Sequence, residues 1–175
     1  MKGLYLVFLL ALAPTVKGQD FCKQVKKEMS DDKTQVDYTS PSSPLAPITV
    51  KRMINTNPEW AVDNFTVVFQ MVSPLESIYS QGADGSQKEK VESKLVVEFD
   101  DNSKFVDDTI AITHDLTDDR TMAIRNLYYP ITDASVKDFT TKKIRKFYLA
   151  GNERAITADT ANAVMHYFQC IKEGK

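Results

Sequence analysis

His114 and Asp115, followed closely by Asp118 and Asp119, are the residues whose types and spacing best fit chemistry. An imidazole beside carboxylates can serve as a general base with its orienting acid, the equipment of a small hydrolase. Clustered acids also invite a calcium loop, but this stretch lacks the alternating oxygen donors, the glycine and the distal glutamate that such a loop needs. A plain hydrophilic connection competes with both readings. Asp100-Asp101 and Asp107-Asp108 read as turn and edge charges, which discourage association between strand edges. His166 falls near Asn162 and Gln169 on the flank of a helical apolar stripe and reads as a surface residue.

Missing motifs exclude other chemistries. No serine sits in a G-x-S-x-G elbow. Gly82 and Gly85 lack the Lys-Ser/Thr pair that a phosphate cradle requires. Two cysteines and two distant histidines are too few ligands for a metal centre. The expectation is therefore no catalytic residue, no cofactor and no metal. A binding surface is the alternative use of the side chains. Trp60 with Tyr128, Tyr129 and Tyr148 could line an aromatic patch, or could close the rim of a β-core. Asn64-Phe65-Thr66 matches the N-glycosylation sequon; a chance match at the outward-facing start of a strand is the favoured reading.

Cys22 and Cys170 stand near the two ends of the chain that follows a candidate leader. Met1-Lys2, the apolar run Leu4 to Leu12, and Val16 and Gly18 before Gln19 have the layout of a secretory signal at 1–18. A transmembrane anchor needs about 20 apolar residues, and Pro14 and Lys17 interrupt this run. No later stretch is expected to span a membrane. Exported cysteines are usually oxidised, so a Cys22–Cys170 disulfide is expected, which removes both thiols as nucleophiles. Residues 19–175 fit one domain. They hold 20 basic against 24 acidic residues, a net charge of −4. Such mild acidity gives no electrostatic case for nucleic acid.

The elements that must position these residues follow from periodicity. Strands are expected over Phe21–Met29, Gln35–Thr39, Ile48–Ile54, Phe65–Met71, Ile110–His114, Met122–Tyr129 and Lys143–Leu149, with a hairpin over Lys94–Val106. In the third of these, Ile48, Val50 and Ile54 share a face and Arg52 breaks the pattern. Ser40–Pro47 carries three prolines and reads as a surface connection, with no flanking basic residues to make it a recognition motif. Gln81–Lys90 reads as a loop, and Ala150–Glu153 as a turn. Thr132 and Thr157 are candidate caps of two helices. The second has an apolar stripe of Ala158, Ala161, Val164, Met165, Phe168 and Ile171, with Cys170 at its edge. The expected class is α+β: a twisted antiparallel-dominated sheet or small sandwich of six to seven strands carrying two C-terminal helices.

Lys142 to Tyr148, the Gly151-Asn152 turn and the helix ending His166-Tyr167-Phe168-Gln169-Cys170-Ile171 resemble small exported Bacteroidota proteins of uncharacterised activity. The resemblance covers the last 80 or so residues and Cys22; it implies export and a bonded cysteine pair. Together these readings lead to a secreted or periplasmic, non-catalytic domain that binds a protein, a glycan or a small apolar ligand. A hydrolase using His114, and an envelope or inhibitor protein, are the alternatives.

Overall fold

Alternation of period two decides most of the architecture. The computed structural model describes residues 20–42, 46–74, 79–81, 87–89, 94–117, 119, 121–149 and 151–175. The leader expected at 1–18, Pro44, Gly82, Gly85, Asp118 and Ala150 lie outside the described residues. The strands are β1 Lys26–Met29, β2 Gln35–Thr39, β3 Ile48–Asn55, β4 Val62–Pro74, β5 Tyr79–Gln81, β6 Gln87–Glu89, β7 Leu95–Phe99, β8 Lys104–Asp107, β9 Thr113–Leu116, β10 Met122–Pro130, β11 Ile144–Leu149 and β12 Asn152–Ala155. The helices are α1 Asp133–Thr141 and α2 Ala158–Lys172, preceded by a short 3₁₀ helix at Phe21–Gln24.

The strands form two antiparallel sheets, β1-β2-β3-β4-β10-β9 and β12-β11-β7-β8, and a separate ribbon of β5 and β6. The class is the expected α+β. In β4, Val67, Phe69 and Met71 turn inward and are almost fully buried, and Leu127 and Tyr129 of β10 share that face. Leu95, Val97, Phe99, Ile144, Phe147 and Leu149 form the facing layer of the four-stranded sheet. The sheets touch directly where Phe69 meets Phe147 and Phe105 meets Tyr129, with ring centroids 5.1 Å apart in each pair. Elsewhere the helices fill the space. Phe139 of α1 lies against Phe69, Phe99, Phe105 and Phe168, and Phe168 of α2 packs on Phe65.

Both helices start where expected. Thr132 and Ser135 form a reciprocal capping box on α1, and Thr157 accepts from the Thr160 N–H on α2. The α2 face is rotated slightly from the expected stripe: Tyr167 and Cys170 are buried with Ala161, Val164, Phe168 and Ile171, while Ala158 is exposed. The cysteines form the expected disulfide, with Cα atoms 5.3 Å apart. Such bonds persist in oxidising compartments.

Three local expectations change. Cys22 sits in the 3₁₀ helix, not in a strand, because the segment follows its contacts with α2: Phe21 stacks on His166, and Tyr167 Oη donates to Gln24 Oε1 at 2.6 Å. The edge strand near Ile110 starts later, at Thr113; Ile110 is buried as a plug from the preceding connection. Asn152–Ala155 is a strand, and Gln81 with Gln87–Glu89 belongs to the ribbon. No described helix is long and apolar enough to cross a membrane.

Candidate functional site

The six-stranded sheet has one face on the core and one turned outward, and strand register fixes what the outward face displays. Asn126 pairs with Gln70 on β4. One step along, Tyr128, Val68 and Thr49 form a row across three strands. The next row is Thr66, Lys51 and Thr39, and the next Asn64, Met53 and Asp37. Helices α1 and α2 reach the sheet through Phe69 and Phe65, which belong to the other face.

Two depressions lie on this outward face. The first, about 340 Å³, has Val68 and Thr49, both 8% exposed, among its lining, with Gln70, Asn126, Lys51 and Tyr128 around them. The second, about 380 Å³, has Glu28, Asp37, Met53, Asn64 and Thr66 among its lining, with Arg52 at its edge. Lys51 and Tyr128 line both. Tyr128 is 55% exposed, so its ring stands up between them. Gln70 Nε2 donates to Asn126 Oδ1 at 3.1 Å, while Gln70 Oε1 is shielded from solvent and has no hydrogen-bond partner among the described residues. In the second depression Asp37 accepts from Gln35 Nε2 at 2.7 Å and Glu28 pairs with Lys26 at 2.6 Å.

The four aromatics considered from sequence do not share a surface. Tyr128 and Tyr129 are adjacent in a strand, so they face opposite ways; Tyr129 is 8% exposed in the core. Burial raises its phenol pKa. Tyr148 lies on the outer face of the other sheet, under the Lys146 ammonium at 5.1 Å from the ring centroid. Trp60 is 71% exposed in the β3–β4 turn. It lies beyond Val62, six residues along β4 from the Val68 that neighbours Tyr128, or about 20 Å of extended chain. Only Tyr128 belongs to the outward face described above.

Of the described acids near His114, Asp119 has a structural task. Asp119 accepts from Thr117 Oγ1 at 2.6 Å and from the Thr121 N–H and Oγ1 at 3.1 and 2.9 Å. These bonds hold its pKa below the ordinary carboxylate range, Thr117 contributing most. Asp119 thus closes the β9–β10 turn and is a poor proton acceptor near neutral pH. Register sets His114 opposite Arg125 and Asp115 opposite Ile124, at alternating positions of an edge strand. Asn64 is exposed on the outward face, where its Oδ1 accepts from Thr66 Oγ1 at 3.0 Å.

Other charged clusters are satisfied internally. On the four-stranded sheet Glu98, its side chain 7% exposed, is paired with Arg145 and lies 3.8 Å from Lys104 and 4.0 Å from Lys146. A third depression, about 340 Å³, is lined by Arg52, Asp63 and Phe65, but Arg52 is committed to Asp63 and to the end of α2. Among the described residues no group of three or more His, Cys, Asp or Glu converges as a metal site would require. Period-two alternation could have separated Tyr128 from Tyr129 in advance. Nothing local could have joined Tyr128 to Lys51 and Gln70, which meet only through cross-strand register. Compared with known proteins, the chain matches no family model, no curated protein and no solved structure, so the functional reading rests on this geometry.

Proposed function

We propose that this chain is an exported, non-catalytic binding domain that engages its ligand on the outward face of the six-stranded sheet. The carrying observation is the pair of adjoining depressions that share Tyr128 and Lys51. The face combines one raised aromatic ring with amides, hydroxyls, the Lys51 cation and the Glu28 and Asp37 carboxylates, a mixture that suits a polar ligand better than a small apolar one, which favours an apolar enclosure. Export is supported by the disulfide, by the leader-like 1–18 and by the resemblance to exported proteins. A hydrolase has less support, since Asp119 is engaged in its own turn.

The test is a ligand screen of peptides, glycans and apolar compounds against the wild type, Tyr128→Ala and Trp60→Ala. Binding should weaken about tenfold or more in Tyr128→Ala and be unchanged in Trp60→Ala, with the ligand recovered chemically intact. Binding indifferent to Tyr128, or cleavage of the ligand, would overturn the reading. Export predicts an N-terminus at Gln19 in the secreted protein, read by sequencing; retention of the leader would count against it.

A further inference from the structure

We propose that the first depression holds an acidic sugar, a uronate unit of an oligosaccharide; this rests on the outward face being the ligand face. Three features define the occupant. Among the described residues, Lys51 is the only charged side chain lining this depression; it is exposed and has no ion-pair partner within 4 Å. It calls for an anionic group on the ligand. Gln70 Oε1 is a shielded acceptor without a donor among the described residues, at the amide pair with Asn126. A buried polar atom left unpaired is costly, and a turn of the half-buried Gln70 amide brings it to a ligand hydroxyl, the donor it lacks. Tyr128 presents a flat apolar ring beside these polar groups, the surface on which the C–H face of a sugar ring stacks.

A carboxylate, hydroxyls and an apolar ring face occur together in a uronate. An inorganic anion would meet Lys51 but has no face for Tyr128, and a neutral sugar would leave Lys51 unmatched. The acidic unit belongs in the first depression, where Lys51 faces no lining carboxylate; in the second, Glu28 and Asp37 offset Lys51 and Arg52. The shared Tyr128 and Lys51 let the next unit of the chain continue across.

The test is calorimetric titration of the full chain with oligomers of galacturonate, mannuronate and glucuronate–hexosamine, with the methyl esters of the same oligomers, and with inorganic phosphate as competitor. At least one acid oligomer should bind, its ester should bind about tenfold more weakly or worse, and Lys51→Met should cause a loss of similar size. Phosphate should not compete. Failure of every acid oligomer to bind overturns the inference. So does an ester that binds as tightly as its acid while Tyr128→Ala abolishes both; that outcome leaves the outward-face reading standing. Binding that survives Tyr128→Ala overturns both. Lys51 and Tyr128 are exposed, so unchanged thermal melts of the variants confirm that lost binding is not lost folding.

Discussion

Arg52 occupies an inward position of β3, opposite Tyr38 on one side and Phe65 on the other, where alternation calls for an apolar residue. Its guanidinium grips Asp63 with Nε and Nη2 at 2.8 and 2.6 Å, and its Nη1 donates to the carbonyls of Ile171 and Lys172 at 3.1 and 2.6 Å. A helix ends with carbonyls that lack intrahelical donors and with a partial negative charge, and Arg52 answers both. Arg52→Met should therefore cost about 1.5–3 kcal/mol in urea unfolding. Arg52→Lys should recover only part of this, since an ammonium has no planar fork for the carboxylate. The same pair shapes the acid limb. The hydrogen bonds from Arg52 hold the Asp63 carboxyl below the ordinary range. As pH falls past about 4 the unfolded chain takes up that proton before the folded one does. The contribution is thus full above that pH and is lost as pH falls through the lowered folded value. Asp63→Asn should flatten this part of the acid limb, by a small amount because the Asp63 side chain is 51% exposed. The break in alternation was visible in the sequence. Its purpose was not, because the carbonyls that Arg52 meets lie 119 and 120 residues away.

At the scale of elements, legibility followed the locality of the signal. Capping threonines, the alternation of β4 and the β7–β8 turn, where Asn102 adopts φ 64, depend on neighbours within a few residues and were readable. β12 was not readable, because Asn-Glu-Arg-Ala has poor strand propensity and is held by pairing with β11 from outside. The 3₁₀ helix was hidden for a similar reason, since its anchors sit on α2. The rows of the outward face are of this second kind: each residue was visible, but the rows exist only once the order β3-β4-β10 is known. Short α1 links the layers, because Phe139 meets aromatic rings from β4, β7, β8 and α2. Phe139→Ala should cost about 3–5 kcal/mol, since facing layers leave a cavity that neither sheet can close alone. Thr132→Ala removes only the cap and should cost about 1 kcal/mol. Chemical unfolding of the two variants separates the packing from the capping contribution. Similar losses would mean that α1 acts through its start and not through its buried ring.

For the whole molecule, the Cys22–Cys170 bond joins residues 148 apart and is the covalent anchor of an N-terminal segment whose other holds are the half-buried Phe21 and Val25 and the Tyr167–Gln24 hydrogen bond. All four residues of β1 are exposed, and β1 pairs with β2 alone at the sheet edge. α2 does not depend on the bond to the same extent: Phe168 and Ile171 are fully buried, and Arg52 holds its last carbonyls. In the chain-entropy account, closing so long a loop stabilises by about 5 kcal/mol, acting mainly on the unfolded chain. Replacing both cysteines by serine should lower the urea midpoint accordingly. The loss should not be spread evenly over the native state. Local opening requires few buried contacts, so amide exchange should rise first over Phe21–Met29, while amides near Phe168 keep their protection relative to global unfolding. Combining the cysteine variant with Arg52→Met should be worse than additive, because the two act on adjoining residues of the same helix end. Equal loss of protection in β1 and in the last turns of α2 would instead show that the disulfide is what docks the helix, with Arg52 and the buried aromatic face insufficient to hold it.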